Sequence, residues 1–137
     1  AIQIGAPVSW QRAIRTLREF DGVVEQASED ELANTSALAD RTGLFTCPHT
    51  GVALAVLNKL LRSGVVAPES KVVVISTAHG LKFTDFKARY HGCNLQEFDV
   101  RPEYANGPIE LEADYDKVRG AVLGAVEDKL NKRFSEN

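Results

Sequence analysis

The chain has 137 residues, enough for one domain, and its 44% hydrophobic and 26% charged residues are typical of a globular protein. The net charge of −3, with no block of Lys or Arg, argues against nucleic acid or an anionic membrane surface as the main partner. With 2 Cys and no apolar run near the ~18 residues of a membrane span, the sequence favours a reducing compartment over secretion and predicts no membrane partner.

The first part of the chain predicts a helix, a short strand and a second helix. Residues 10–20 have the apolar spacing of an amphipathic helix. GVVEQA, residues 22–27, is typical of a short strand. Ser28 and Glu31 then have the spacing of a capping box, which predicts the start of a second helix that runs to about residue 41.

The middle of the chain predicts a helix and a strand that are both unusually apolar. Residues 50–63 are apolar nearly all the way round, so we expect this helix to be buried on most sides. Residues 71–75, KVVVI, form an unbroken β-branched run, which is typical of a strand that is covered on both faces in a parallel sheet. Residues 92–112 have no regular pattern, and residues 115–133 predict a last amphipathic helix.

The order of these elements predicts an α/β fold with a parallel sheet. Two strands cannot cover a helix as apolar as residues 50–63, nor bury both faces of residues 71–75. Either irregular segments supply further strands, or the cover comes from sequence outside this chain. We therefore expect an incomplete domain, part of a larger parallel-sheet domain.

Polar residues directly follow the predicted buried strand. In open α/β sheets ligands bind beyond the carboxyl ends of the strands, and Ser76, Thr77, His79 and Gly80 lie there. The hydroxyls can bind a ligand's ring nitrogen or phosphate, and the glycine allows close backbone approach. The alternative is structural: Ser76 and Thr77 cap the next helix, and His79 makes an internal hydrogen bond. A serine nucleophile is disfavoured, because no G-x-S-x-G surrounds Ser76.

Two further patterns suggest binding sites. Cys47 with His49, and His91 with Cys93, could form a zinc site, but their one-residue spacing is not the usual one, so no metal is predicted. Cys47 is better explained as a small buried side chain. The start of the helix at residues 48–51, PHTG, suggests an anion site, although ordinary capping by Thr50 is the preferred interpretation.

Three stretches together resemble one enzyme family. They are IQIGAPVSWQRAI, residues 2–14, GLFTCPHTGVAL, residues 43–54, and VVVISTAHGLKF, residues 72–83. In this order they resemble the C-terminal third of plant-type threonine synthase, a pyridoxal-phosphate (PLP) enzyme of the tryptophan-synthase-β fold type (fold type II). The resemblance is clear over residues 1–91 and weaker in the tail, residues 92–137, so the whole chain is interpreted as one C-terminal segment of the large domain.

The resemblance implies a cofactor role for the strand-end loop. The family converts O-phosphohomoserine and water to threonine and phosphate. Thr77 matches the hydroxyl that hydrogen-bonds the pyridine nitrogen of PLP, and Ser76 is the alternative hydroxyl. His79 and Gly80 match the loop beneath the cofactor ring. In the family this hydroxyl leaves the ring nitrogen largely unprotonated.

The resemblance also implies what this chain does not carry. In the family, the Schiff-base lysine and the loop that binds the cofactor phosphate lie upstream, and none of the 7 lysines here matches that lysine; Lys82 belongs to another motif. We therefore expect this chain alone to be inactive, and expect the rest of the enzyme or a second chain to complete the fold, as a homodimer in the plastid stroma or cytoplasm. The alternatives are a β-replacing relative such as cysteate synthase and a stand-alone, non-catalytic binding module derived from such an enzyme.

Overall fold

The computed structural model describes residues 4–135, with side chains up to residue 128 and at residue 131. The described residues form two compact units, divided between Gly107 and Pro108. The helices of the first unit are α1 (Trp10–Glu19), α2 (Glu29–Asp40), α3 (Pro48–Arg62) and α4 (Thr84–His91), with short 3-10 helices at Gly80–Phe83 and Gln96–Phe98. The second unit holds α5 (Tyr115–Ser135).

Helix α2 begins where the sequence predicts. The Ser28 hydroxyl accepts a hydrogen bond from the Glu31 N–H at 3.2 Å, and the Glu31 carboxylate accepts one from the Ser28 N–H at 2.8 Å. This reciprocal capping box satisfies two of the N–H groups that a helix leaves unpaired at its start. The predicted capping box is confirmed, and α1 and α5 also match their predicted ranges within two residues at each end.

Helix α3 begins earlier than predicted, at Pro48, and Cys47 is its N-cap residue. Proline suits the first turn of a helix, because its missing N–H would have no partner there and its φ is already helical. The interpretation of Thr50 as the cap was therefore wrong: Thr50 lies inside the first turn. Its hydroxyl is left free to make other contacts.

Helices α2 and α3 pack closely, and Gly51 makes this contact possible. A Cβ atom at Gly51 would lie 2.6 Å from the Leu32 carbonyl oxygen, too close for any other residue. Only Thr50, Gly51 and Ala55 of α3 are fully buried, and most of the remaining helix is half-exposed. The expectation that α3 is buried on most sides is therefore not met within this chain.

The core of the first unit lies between α2, α4 and the segment after α4. Its buried apolar members are Leu32, Ala33, Ala37, Tyr90, Leu95 and Val100. The Tyr90 hydroxyl donates to the Asn34 side-chain oxygen at 2.6 Å, and the same oxygen accepts from the Glu103 N–H at 2.9 Å. This buried polar pair fixes the irregular segment that follows α4 against α2.

The predicted parallel sheet is not confirmed. Among residues 4–135 none lies in a strand, and residues 22–27 and 71–75 have no regular structure. Val73 is 90% exposed and Ile75 is 77% exposed, so the β-branched run lacks the cover that its sequence predicts. A strand forms only when neighbouring strands accept and donate its backbone hydrogen bonds, and the described residues supply no such neighbour.

Helix α4 was missed in the sequence, because its eight residues, TDFKARYH, have little apolar periodicity. Within the described residues, no helix is both long and apolar enough to cross a membrane. In α5 three valines on the apolar side of the predicted amphipathic helix are exposed: Val118, Val122 and Val126.

Candidate cofactor site

The predicted strand-end residues are held by the first turn of α3. The Ser76 hydroxyl lies 3.0 Å from the Thr50 hydroxyl, and Thr50 itself is only 2% exposed. Ser76 and Thr77 are exposed beside this buried group. The structure therefore brings the two hydroxyls predicted to bind a ligand to the N-terminal end of a helix.

Cys47 connects the second hydroxyl to the same turn. Its thiol is fully buried and lies 3.3 Å from the Thr50 hydroxyl and 4.0 Å from the Thr77 hydroxyl. Ser76, Thr50, Cys47 and Thr77 thus form a continuous set of polar contacts, which we call the hydroxyl–thiol chain. It joins two adjacent loop residues to two residues at the start of one helix, and so restrains where the Thr77 hydroxyl lies.

The hydroxyl–thiol chain also changes the acidity of the thiol. Burial raises the pKa of Cys47, but hydrogen bonds from the Thr50 side chain and backbone, from His49 and from Thr77 together outweigh burial and lower the pKa from 9.0 to about 6. Hydrogen bonds to a charged group favour its charged form. The Cys47 sulfur is consequently a hydrogen-bond acceptor near neutral pH, and Thr50 is its nearer hydroxyl donor.

His79 and Gly80 have structural contacts in this chain. The His79 ring nitrogen Nδ1 accepts a hydrogen bond from the Leu81 N–H at 3.2 Å and caps the 3-10 helix, while the ring packs edge-on against Phe45. Gly80 is buried, and a Cβ there would lie 2.8 Å from the Phe45 ring and 2.9 Å from the Thr46 carbonyl oxygen. His79, rather than Ser76 or Thr77, is therefore the residue that caps the next element.

The loop is joined to the segment before α3 through its backbone. His79 forms an isolated antiparallel bridge with Thr46, and the Gly80 N–H donates to the Phe45 carbonyl at 2.9 Å. Thr46 is buried and its N–H donates to the Asp40 carboxylate at 2.8 Å. The sequence alone assigns Asp40 no role. Its partners are Thr46, in the segment before α3, and Lys87, on α4, and no local pattern connects Asp40 with either residue.

The cysteine and histidine pairs do not assemble into a metal site. Cys47 is buried at the start of α3, and Cys93 is exposed after α4. Within the part of the chain that the structure describes, no group of three or more Cys, His, Asp or Glu side chains could hold a metal ion. His91 lies at the end of α4, where its Nδ1 accepts from the Asn106 N–H at 3.0 Å.

A separate cavity of about 620 Å³ lies beside the start of α3. Its walls include Leu32, His49, Val52, Phe83 and Phe86. None of the four predicted site residues lines it, so it is distinct from the candidate site.

The residues at the candidate site fit the chemistry expected of a hydroxyl partner for a heterocyclic nitrogen. Thr77 is exposed, and its single hydroxyl proton can be donated either to the Cys47 sulfur or to a ligand. At 4.0 Å the contact with sulfur is long, so a ligand nitrogen at ordinary hydrogen-bond distance is the better acceptor.

Comparison with known proteins identifies similar sequences. The chain is 52% identical to threonine synthase 2, chloroplastic, of Arabidopsis thaliana over 130 residues, which is 95% of this chain and 24% of that enzyme. It is 31% identical to threonine synthase of Halalkalibacterium halodurans over 89% of this chain and 32% of that enzyme. The threonine synthase of Methanocaldococcus jannaschii is 33% identical over 65% of this chain and 22% of that enzyme.

These relatives are several times longer than the aligned segment. The chain spans between 22% and 33% of the length of five such relatives. No family model matches the chain. The family resemblance predicted from the three sequence stretches is confirmed by the relatives' names and by the extent of the alignments.

Proposed function

We propose that this chain, which is homologous to a segment of threonine synthase, forms part of a PLP-dependent enzyme of fold type II. The enzyme would convert O-phosphohomoserine and water to threonine and phosphate. The observation that carries the proposal is the 52% identity to a plant threonine synthase over 95% of this chain. Sequence similarity at this level, sustained over nearly the whole chain, supports a shared site as well as a shared fold.

The role proposed for this chain is to form one wall of the cofactor site. Thr77 donates its hydroxyl proton to the pyridine nitrogen of PLP, with Ser76 beside it as the alternative hydroxyl. PLP, when bound, supplies the electron sink for the reaction. Because a neutral hydroxyl, unlike a carboxylate, does not stabilise a positive charge on its partner, this contact leaves the ring nitrogen largely unprotonated. His79 and Gly80 shape the loop beneath the ring.

The geometry of Thr77 supports this role. Its hydroxyl lies 4.0 Å from the Cys47 sulfur at the start of α3, and the residue is exposed to solvent. Because that contact is long, little is lost when the hydroxyl proton is donated to a ligand nitrogen instead.

The remaining parts of the catalytic site are proposed to come from elsewhere in the enzyme. Lys87 is paired with Asp40 in the interior, and Lys82 lies within the 3-10 helix that follows the loop. The cofactor-anchoring lysine and the phosphate-binding loop would be supplied by the rest of the enzyme or by a second chain, in a complete homodimer. Exposed Val73 and Ile75 support such a partner, because β-branched runs of this kind are normally covered by neighbouring strands.

The name of the Arabidopsis relative places that enzyme in the chloroplast. A plastid location is therefore proposed for this protein, in preference to the cytoplasm. Import of a tagged copy of the natural gene product into isolated chloroplasts tests this part of the proposal.

Segment exchange tests the enzymatic proposal. The 130-residue aligned segment of the Arabidopsis enzyme is replaced by this chain, and the hybrid is produced in a bacterial threonine auxotroph. We expect growth without threonine and release of phosphate from O-phosphohomoserine. Thr77→Val in the hybrid lowers kcat by about 10- to 100-fold, the cost of one hydrogen bond to a polar ligand group, and Thr77→Ser restores most of it.

The matched control for Thr77 is Thr42→Val, at an exposed threonine whose hydroxyl donates to the Ala39 carbonyl, remote from the loop in sequence and contact. A folded hybrid that binds PLP but makes no threonine would contradict the proposed reaction. The isolated chain provides a second test: treatment with PLP and borohydride should leave no adduct on a specific lysine. An adduct would mean that the chain carries its own anchoring lysine.

A further inference from the structure

A buried ion pair lies beneath the loop that carries Thr77. Lys87 on α4 and Asp40 at the end of α2 meet at 2.5 Å between Nζ and Oδ2, and their side chains are 8% and 11% exposed. The Lys87 ammonium also donates to the Ser36 hydroxyl at 2.8 Å and lies 5.0 Å from the centre of the Phe45 ring. Removing two charges from water is costly, and hydrophobic side chains often serve stability better. Stability alone therefore does not explain why Lys87 and Asp40 are buried.

The second carboxylate oxygen of Asp40 is engaged with Thr46. Asp40 Oδ1 accepts from the Thr46 N–H at 2.8 Å and from the Thr46 hydroxyl at 3.3 Å. The Ser36 hydroxyl, which accepts from Lys87, lies 3.0 Å from the Thr46 hydroxyl. Thr46 is thus fixed through both its backbone and its side chain by groups that the ion pair orients.

The fixed residues are those that pair with the loop. Thr46 forms the antiparallel bridge with His79, and Phe45 accepts the hydrogen bond from the Gly80 N–H. Gly80 packs against both Phe45 and Thr46 so closely that a single added carbon would not fit. A displacement of Thr46 would consequently be transmitted to residues two and three positions after Thr77.

We propose that Lys87 and Asp40 are positioning residues for the candidate cofactor site, which orient the Thr77 hydroxyl by fixing Thr46 and, through it, His79 and Gly80. The hydroxyl–thiol chain holds the loop from the α3 side, and the ion pair holds it from the α4 side. That the Thr77 orientation serves cofactor binding rests on the proposed function. That the ion pair fixes the loop through Thr46 does not.

The coupling is tested on the full 137-residue chain by NMR, without cofactor. Lys87→Met alone would leave a buried, unpaired carboxylate, so the informative variant is the double substitution Lys87→Met/Asp40→Leu. Replacing both partners with apolar groups removes the cost of an isolated charge. It also removes the acceptor of the Thr46 N–H.

The first measurement is amide hydrogen exchange. The Gly80 N–H is the informative group, because its own acceptor, the Phe45 carbonyl, is unchanged in the double variant. We expect its exchange to accelerate at least about 10-fold more than that of the Leu32 and Gly51 N–H groups, which report on α2 and α3. A merely structural pair would accelerate all three alike, because its loss would lower only the global free energy of unfolding. An equal change at all three sites overturns the proposal.

The second measurement is the Thr77 χ1 angle, from side-chain scalar couplings. We expect one staggered rotamer in the native chain, averaging among rotamers in the double variant, and recovery of the single rotamer in Lys87→Arg. Averaging already present in the native chain, or one unchanged rotamer in the double variant, overturns the proposal.

The matched control is Lys59→Met/Glu31→Gln, which removes the half-exposed ion pair between α3 and α2. Glutamine is chosen at position 31 because its side-chain oxygen can still accept the capping hydrogen bond from the Ser28 N–H. We expect this control to leave the exchange ratio and the Thr77 rotamer unchanged. Neither amide exchange nor the Thr77 χ1 angle involves PLP. If the segment-exchange experiment fails, the coupling between the ion pair and the loop can still be established. If the coupling is not found, the proposed reaction is unaffected.

Discussion

The Thr50 hydroxyl lies 3.0 Å from the Ser76 hydroxyl, and this contact joins the first turn of α3 to a loop 26 residues further along the chain. Thr50 also contacts the Cys47 thiol, so this one buried hydroxyl joins Ser76 to Cys47 in the hydroxyl–thiol chain. The position of the two loop hydroxyls therefore depends on a residue for which the local sequence favoured helix capping.

Replacing Thr50 tests that dependence. Thr50→Val keeps the volume but removes the hydroxyl, and we expect a loss of about 1–2 kcal/mol in the free energy of unfolding, measured by urea denaturation. A double-mutant cycle with Ser76→Ala should give a coupling energy of about 0.5–1.5 kcal/mol. Thr42→Val, at an exposed threonine, should cost less than about 0.5 kcal/mol. Additive effects of Thr50→Val and Ser76→Ala would contradict the observed contact.

The lowered thiol pKa predicts a pH-dependent stability. Cys47 has a pKa of about 6 in the folded chain against 9.0 ordinarily, so between these values the unfolded state binds the proton more readily. The resulting stabilisation is complete above about pH 9 and is lost as the pH falls through about 6. Urea denaturation across this range, with thiolate absorbance as a second readout, measures it.

The control for the thiol prediction is the other cysteine. Cys47→Ala should remove this part of the pH dependence, whereas Cys93→Asn should preserve it. Asparagine is chosen because Cys93 has a φ of +57°, a left-handed conformation that asparagine tolerates. A Cys47 thiol that titrates near 9 in the native chain would show that burial fully offsets the hydrogen bonds, and would contradict the prediction.

His91 predicts a second pH effect. Burial lowers the pKa of its imidazole, and the positive charge of Lys87 lowers it further, while Asp40 opposes them. As the pH falls below 6.5, the unfolded state is protonated first, so stability should decrease down to the lowered pKa of the folded state. His91→Gln, which can still accept from the Asn106 N–H, should flatten this decrease.

Measuring the stability of His91→Gln at higher pH separates the effect of losing the imidazole charge from the effect of changing its hydrogen bond. At about pH 8 the imidazole is neutral in both states, so the variant should differ from the native chain by no more than about 1 kcal/mol. An equally steep acid decrease in both proteins would assign the effect to other groups.

Gly80 predicts a steric effect close to the site. A Cβ there would meet the Phe45 ring at 2.8 Å and the Thr46 carbonyl oxygen at 2.9 Å, and the second contact is with backbone that cannot rotate away. We expect Gly80→Ala to cost about 1–3 kcal/mol in thermal or urea unfolding. Gly107→Ala, where no atom lies within 4 Å of the added carbon, serves as the control. Equal stability of the two variants would refute the tight contact.

Local patterns in the sequence predicted local structure well. The Ser28–Glu31 spacing predicted the α2 capping box, and the apolar periodicity predicted α1, α3 and α5. These features depend on residues three or four positions apart, which interact whatever the rest of the chain does. Helix α4 was missed because its eight residues are held by Lys87 and Tyr90, whose partners lie on α2.

The family motifs predicted which loop carries the candidate cofactor site. The assignment of Ser76, Thr77, His79 and Gly80 as cofactor residues stays a prediction. What supports their positions was not visible in the sequence. Asp40 and Lys87 lie outside the family motifs, and their ion pair joins residues 47 positions apart. Thr46 lies inside the motif at residues 43–54, but nothing in that motif indicates its contact with Asp40. The strand expected over residues 71–75 does not form within the described part of this chain, because strand propensity cannot supply the neighbouring strand.

The sequence by itself determined the helices with local capping and periodicity, the absence of a block of basic residues, and the resemblance to threonine synthase. Only the tertiary structure decided that Cys47 and Thr50 contact the loop hydroxyls, that His79 caps a 3-10 helix, and that Lys87 and Asp40 lie beneath Thr46. The physical reason is distance along the chain. Hydrogen bonds and ion pairs depend on positions in space, and those positions exist only after α2, α3 and α4 have packed together.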